Sequence, residues 1–488
     1  MTMTTQFAMV LPEEVLSLGA IALMLVSAWG GQASTRLVSW AAVAVLAGAG
    51  VALLGPATGG GAAFGGLMRA DAFAGFAKVV IFLASAAAIL MAPDFFARSA
   101  GDDLRPEYPV LILLSAAGMA IMVSAGDLLT LYVGLELQSL AAYVLASFMR
   151  RDRRSAEAGL KYFVLGSLAS GILLYGVSLV YGFAGSTLFE QIAQSFAGAP
   201  HGSTAALGLT FGLVFVFAGL AFKMAVVPFH MWTPDVYEGA PTPVSAFFAS
   251  APKVAAMALS IRVAMVAMGP AAGEWRQIVI FASLASILLG AVAAIGQTNV
   301  KRLLAYSSIN NVGFALIGLA AGTPEGVSAV LLYLAVYIFM TLGAFLVVLQ
   351  MRGPDGEPIE DIASLSGLSR TRPGLAAAMA MFMFSLAGIP PLLGFMPKFA
   401  VFQAATNAGL LGLAVAGAVS SVIGAYYYLR MVKTMYFDDP APAYAPSHSA
   451  VEGGMLAICA VVISPVGYLA LPLLYGWSAV AAQSLFRI

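Results

Sequence analysis

Apolar runs of about 20 residues, separated by short polar breaks, occupy nearly the whole 488-residue chain. At 1.5 Å per residue such a run has the length of a bilayer-crossing helix, and it lacks the roughly ten-residue alternation of a transmembrane barrel. The pattern predicts about fourteen spans, near 13–30, 37–55, 72–92, 108–125, 127–148, 156–184, 207–229, 242–266, 275–297, 302–320, 326–350, 374–403, 408–436 and 451–476. The Gly-rich stretch 59–66 reads as a loop, and 185–204 and 352–373 as the longest polar-leaning connections. Three spans carry helix-breaking residues: Pro228 ends one, Pro252 sits inside another, and Pro390, Pro391 and Pro397 with Gly388 and Gly394 interrupt a third. The fold class is therefore an all-α polytopic membrane protein.

Composition agrees. The chain is 61% hydrophobic and 9% charged, against roughly 25% charged residues in soluble domains. Net charge is zero, so nothing electrostatic favours nucleic acid. The single cysteine, Cys459, excludes an intrachain disulfide and a cysteine-ligated cluster. The histidines His201, His230 and His448 are scattered, without metal-ligand spacing. No Lys or Arg precedes the first apolar run, and Glu13 and Glu14 stand at its mouth, so a retained first helix is expected.

Basic residues set the orientation. Alternate loops and adjoining span ends hold Arg36, Arg98, Arg105, Arg150, Arg151, Arg153, Arg154, Lys301, Arg302, Arg352, Arg370, Arg372, Arg430 and Lys433; the other side holds Arg69, Arg276 and Arg487. The first side is cytoplasmic by this asymmetry, and an even span count puts both termini on the periplasmic side. Of the basic residues within spans, Lys78 and Arg262 lie one to two turns from the outer boundary and are expected to snorkel. Lys161, four residues after Glu157, has helical ion-pair spacing.

Four charges are harder to accommodate. Glu136 is nine residues past Asp127, roughly 13 Å into its helix. Lys223 precedes Pro228 by five residues, Lys253 follows Pro252 near mid-depth, and Lys398 sits among three prolines. Ionisable groups in hydrocarbon are costly and usually functional, and broken helices at that depth line water or protein. Burial disfavours an ammonium and a nearby carboxylate favours it. One acid and three amines on four spans thus suggest a hydrated proton relay, without the nucleophile triad, phosphate loop or metal box of other chemistries. Two of these proline-broken, lysine-bearing spans, 207–229 and 374–403, lie five spans apart, the offset of an inverted repeat. Pairing DLLTLY with RLLAY puts Asn310 or Asn311 where the first copy has Glu136.

The stretches EAGLKYFVLGSLASG (157–171), FKMAVVPFHMWTPDVYEGAPTPVSAFFASAPK (222–253), VKRLLAYSSINNVGF (300–314) and LAGIPPLLGFMPKF (386–399) resemble the antiporter-like membrane subunits of respiratory NADH:quinone oxidoreductase, complex I. Lysine at 253 resembles the subunit N, mitochondrial subunit 2 type, where the L and M relatives tend to carry histidine. The resemblance implies two inverted five-helix repeats with broken helices, over 108–266 and 275–436, flanked by helices in 1–107 and 437–488. It implies a proton relay in which Glu136 pairs with and modulates Lys223, Lys253 is central and Lys398 passes protons outward. It further implies no cofactor in this chain, with FMN, iron–sulfur clusters and quinone in partner subunits of complex I. The neighbouring partners would be other antiporter-like subunits and membrane lipid, in a bacterial inner membrane. His230, Asp235 and Glu238 in the inward loop read as structural rather than as a water feed to Lys223. The alternatives are a subunit of a multi-component sodium/proton antiporter, and a structural spacer whose buried charges only join helices.

Overall fold

The computed structural model describes residues 2–99, 104–200, 202–445 and 449–486. His201, His448 and Arg487 lie outside the described residues. The chain is a helical bundle, and twelve helical segments among the described residues are long and apolar enough to cross a membrane.

The first are α1 (Met3–Met9), α2 (Leu11–Gly30), α3 (Thr35–Ala52), α4 (Ala72–Arg98), α5 (Glu107–Ser124), α6 (Leu128–Ala146) and α7 (Arg153–Ala184). The Gly-rich stretch expected as a loop folds partly into a hairpin, β1 (Gly61–Ala63) against β2 (Met68–Ala70). The polar connection after α7 holds a short helix, α8 (Phe189–Gly198), whose approach is fixed by a bridge between Asp127 and Leu188. Both are short elements that a window tuned to 20-residue runs averages away.

Next come α9 (Thr204–Met224), α10 (Trp232–Gly239), α11 (Thr242–Ala249) and α12 (Ala251–Arg262), the last continuing through a π turn at Val263–Ala267. They are followed by α13 (Ala272–Ile295), α14 (Val300–Ala321), α15 (Pro324–Leu349), α16 (Leu368–Thr371), α17 (Pro373–Ala387) and α18 (Phe395–Asn407). The chain ends with α19 (Leu411–Phe437), α20 (Ala450–Ile463) and α21 (Leu471–Ser484). The helix expected to run to 229 stops at Met224, and the 374–403 span is two helices. In both cases the chain departs before its prolines, which have no N–H to continue the ladder.

The segment Thr242–Ala267 is wholly enclosed, with α14 and α15 nearly so, and these three form the centre of the bundle. Close approach there needs small residues. A Cβ on Gly290 would meet Asn310 backbone at 2.8 Å, and one on Gly313 would meet Ile287 backbone at 2.9 Å, so α13 and α14 pack backbone to backbone. Outer faces are apolar: Leu129, Val133, Leu140 and Val144 of α6, and Leu160, Val164 and Leu168 of α7, are exposed. Such stripes suit lipid or partner helices rather than water.

Two charges expected to snorkel do not. Lys78 is buried and pairs with Glu13 at 2.6 Å. Arg262 is buried; it makes two bonds to Asp71 at 2.7 and 2.8 Å and donates to the Val123 carbonyl at 2.9 Å. Burial pushes the Asp71 carboxyl up, but the Arg262 charge and hydrogen bonds outweigh it and hold the group below the usual carboxylate range. Depth counted along one helix does not reveal a carboxylate that tertiary packing supplies from another element.

Candidate functional site: lysines at two helix breaks

The first break lies between α9 and α10. Ala225 adopts left-handed backbone (φ 59°), its N–H returns to the Phe222 carbonyl at 3.0 Å, and Val226 N–H returns to Ala221 at 3.0 Å. This is a Schellman-like stop, and it satisfies two of the carbonyls that every helix end leaves over. The Trp232 indole, on α10, adds a bond to Phe222 O at 3.0 Å. Met224 O is taken by the Lys253 ammonium at 2.9 Å. Lys253 reaches it from α12, which starts after an irregular residue, Ser250 (φ −118°, ψ −89°), with Pro252 in its first turn. The Trp232 and Tyr237 rings lie 5.5 and 6.0 Å from the same ammonium.

The second break repeats the design. Gly388 is left-handed (φ 81°), its N–H bonds Ser385 O, and Ile389 N–H bonds Phe384 O, each at 3.0 Å. The next two carbonyls, Leu386 and Ala387, both accept from Lys398, at 2.8 and 3.1 Å. Here the lysine comes from α18, the far half of the same broken helix. It packs over Phe314 at 4.6 Å and reaches Ser421 at 3.5 Å. Both breaks therefore end on unpaired carbonyls at the negative pole of a helix, occupied by a buried ammonium. Each break carries a cis X-Pro bond, Val227–Pro228 and Pro390–Pro391.

Lys223 points elsewhere, to α6. Its ammonium donates to Ser139 Oγ at 2.6 Å and Tyr143 OH at 3.3 Å, with the Tyr143 and Phe222 rings at 5.5 and 5.7 Å. Ser139 in turn donates to Leu135 O at 2.5 Å. Glu136 lies one turn before Ser139 on the same helix, half-buried, with an enclosed Oε1 that has no hydrogen-bond partner. Among the described residues no ion pair within 4.0 Å joins Glu136 to Lys223, so the expected direct pair is absent. A hydroxyl stands at the lysine instead. Ser139 and Tyr143 carry little signal in the sequence beyond their spacing of three and seven from Glu136, which places them on its face.

Between the breaks, α14 carries a polar string. Tyr333 OH donates to Asn311 Oδ1 at 2.7 Å; Asn311 Nδ2 donates to Ser307 O at 2.8 Å and Tyr428 OH at 3.1 Å; Ser307 and Tyr428 hydroxyls are 2.5 Å apart. Asn310 instead bonds Ile287 O at 2.7 Å and ties α14 to α13. The buried hydroxyls of Tyr237 and Ser308 interact with each other, Ser308 also faces Tyr337, and Tyr427 faces Tyr428 and Ser307, which extends the row of polar groups through the bundle.

The loop acids are held in ion pairs. Asp235 bonds Lys161 at 2.8 Å and Arg302 at 2.6 Å, Glu238 bonds Arg302 at 3.0 Å, and Glu157 bonds Lys161 at 2.7 Å. Burial raises the Asp235 carboxyl, and its two cationic partners more than reverse this, leaving it lowered. Glu360, joined to Lys301 at 3.0 Å and Arg154 at 3.2 Å, is lowered on balance in the same way. Among the described residues no group of three His, Cys, Asp or Glu side chains could hold a metal ion.

Comparison with known proteins gives this geometry a family. The family described as NADH:quinone oxidoreductase/Mrp antiporter, TM, matches residues 125–424, a range that includes both breaks and all four candidate charges. A NADH-quinone oxidoreductase subunit N from Rhizorhabdus wittichii is 66% identical over the full length of both chains. The chain belongs to the NADH-quinone oxidoreductase subunit N family. A subunit N from Sphingopyxis alaskensis is 59% identical, covering 99% of this chain and 100% of that one. Among solved structures, a chain of respiratory complex I from Thermus thermophilus aligns with a TM-score of 0.78 and 32% identity, over 94% of this chain and 98% of that one. A chain of the Mrp complex from Dietzia shares the fold at TM-score 0.83 and 24% identity, covering 100% of this chain and 98% of that one.

Proposed function

We propose that this chain is a membrane-arm subunit of a proton-pumping NADH:quinone oxidoreductase in a bacterial inner membrane, and that protons cross it along Glu136, Lys223, Lys253 and Lys398. FMN, iron–sulfur clusters and quinone belong to partner subunits in this reading, so the subunit's own chemistry is proton movement. The observation that carries the relay is the pair of helix breaks, each closed by a buried ammonium on otherwise unpaired carbonyls. An ammonium there makes charge-assisted bonds in a low-dielectric site, and a proton lost from it weakens them. Each lysine is thus a proton carrier coupled to the local geometry of its helix. Ser139 and the Asn311–Tyr333–Tyr428–Ser307 string supply hydroxyls and amides beside which water can bridge the lysines. Glu136, on a different helix from Lys223, acts on it through its field rather than by direct contact.

The topology in this reading has fourteen spans. The Leu11–Ala52 run counts as two helices, α17 with α18 as one broken span, and α20 with α21 as the last. Spans in 108–266 and 275–436 form two inverted five-helix repeats, with flanking helices in 1–107 and 437–488 and both termini periplasmic. The matching hydrogen-bond pattern of the two breaks supports the repeat. A sodium/proton antiporter subunit shares the fold, but the full-length relatives at 66 and 59% identity bear the subunit N name.

The test is proton translocation by the assembled complex in sealed vesicles with Lys223→Ala and, separately, Lys398→Ala. Reduced translocation with normal assembly supports the relay; unchanged translocation in both overturns it in favour of the structural spacer.

A further inference from the structure

A cavity of about 480 Å³ opens between the start of α3 and the end of α4, far in sequence from the lysine breaks. Its lining includes the polar groups Arg36 and Asp94 and the apolar groups Trp40, Ile89, Leu90 and Phe96. Arg36 is in the first turn of α3 and Asp94 in the last turn of α4, which ends at Arg98. Trp40 and Leu90 lie four residues deeper on each helix, roughly 6 Å toward the bilayer centre. The two charges thus stand near the helix ends, and Trp40, Ile89 and Leu90 stand a turn below with the Ser39 hydroxyl beside them, at the depth where tryptophan meets lipid headgroups. Arg36 is exposed, and among the described residues no carboxylate lies within 4.0 Å of its guanidinium. Asp94 is half-buried and is held by the Ser449 hydroxyl.

We propose that this cavity binds one membrane phospholipid of the zwitterionic, primary-amine class, with its phosphate on Arg36, its ammonium on Asp94 and an acyl chain along Trp40 and Leu90. A guanidinium matches phosphate oxygens with two parallel bonds. The Asp94 carboxylate gives an ammonium-bearing headgroup a partner that a purely anionic headgroup cannot use. It also selects against a trimethylated headgroup, which has no N–H to donate. The cavity shares no residue with the proton relay, and the proposal stands on the membrane location of these helices rather than on pumping.

The assembled complex is placed in nanodiscs containing equal parts phosphatidylethanolamine, phosphatidylcholine and phosphatidylglycerol, and the lipids retained after detergent exchange are read by native mass spectrometry. The unaltered complex retains more phosphatidylethanolamine than Arg36→Ala or Asp94→Asn complexes, with about a tenfold affinity difference for each lost charge-assisted contact. Leu37→Ala, on the exposed face outside the cavity, leaves retention unchanged. Because Asp94→Asn also disturbs the Ser449 contact, the headgroup comparison on the unaltered complex stands as an independent arm. Equal retention of the amine and trimethylamine lipids, preference for phosphatidylglycerol, or a partner helix filling the cavity in a map of the complex would each overturn the proposal.

Discussion

The Lys253 ammonium donates to the carbonyl of Met224 at 2.9 Å, and Met224 is the residue after Lys223. Two lysines thirty residues apart thus meet at one helix break, although their side chains serve different partners. Removing one is expected to change the backbone terminus that positions the other. Lys253→Ala leaves a buried carbonyl unpaired, at a cost of about 1–3 kcal/mol. It should reduce proton translocation and lower thermal stability together, read by vesicle acidification and by a melting curve of the same preparation.

Ser139 contacts the Lys223 amine and lies three residues after the Glu136 acid on α6. Ser139→Ala removes the 2.6 Å contact to Lys223 while keeping both charges. It should lower translocation several-fold, less than Lys223→Ala does, and Ser139→Thr should recover part of the loss. Glu136→Asp should retain more activity than Glu136→Ala because the field at Lys223 survives. Identical behaviour of the two Glu136 variants would remove the electrostatic role assigned to that carboxylate.

The breaks themselves were partly legible in the sequence. Prolines at 228, 390 and 391 mark where helices stop and those at 252 and 397 open the next ones, and the lysines near them are readable as costly charges. What each lysine touches was not legible. Lys398 caps the preceding half-helix and Lys253 caps a helix before its own, contacts set by how the halves fold back. Nor did the sequence reveal that Ser139 would stand at Lys223 in place of Glu136, because a serine in an apolar helix carries little signal. Lys78 and Arg262 depart from the snorkelling expectation for a related reason. Their partners Glu13 and Asp71 sit at helix starts, where acids are ordinary, and only packing brings the pairs together.

The left-handed residues at the two breaks respond oppositely to substitution. Ala225 has φ 59°, where a Cβ is strained, so Ala225→Gly should stabilise the chain by up to about 1 kcal/mol. At Gly388 a Cβ would lie 2.8 Å from Lys398 Cδ in addition to the positive φ. Gly388→Ala should therefore destabilise by roughly 1–2 kcal/mol and displace Lys398. Thermal unfolding in detergent checks both signs.

The Asp71–Arg262 pair gives a pH dependence. The Asp71 pKa in the folded chain lies below the ordinary carboxylate value, so its contribution to stability is present above that ordinary value. It is lost as pH falls through the folded value. Asp71→Asn breaks a buried pair and should cost about 3–5 kcal/mol near neutral pH. The difference between the unaltered and Asp71→Asn chains should shrink on acidification below about pH 4. Melting temperatures of both chains across that range read the effect, and a constant difference would contradict it.

In the proposed relay the buried lysines, Lys253 and Lys398 at the two breaks and Lys223 against α6, carry protons. The most direct measurement is the number of protons translocated per electron by the assembled complex, comparing the unaltered chain with Lys223→Ala, Lys253→Ala and Lys398→Ala at matched assembly. The account predicts a lowered ratio, or coupled loss of turnover, in every variant. An unchanged ratio at unchanged turnover in all three would contradict it and leave Lys253 and Lys398 as helix caps and Lys223 as a tie between helices.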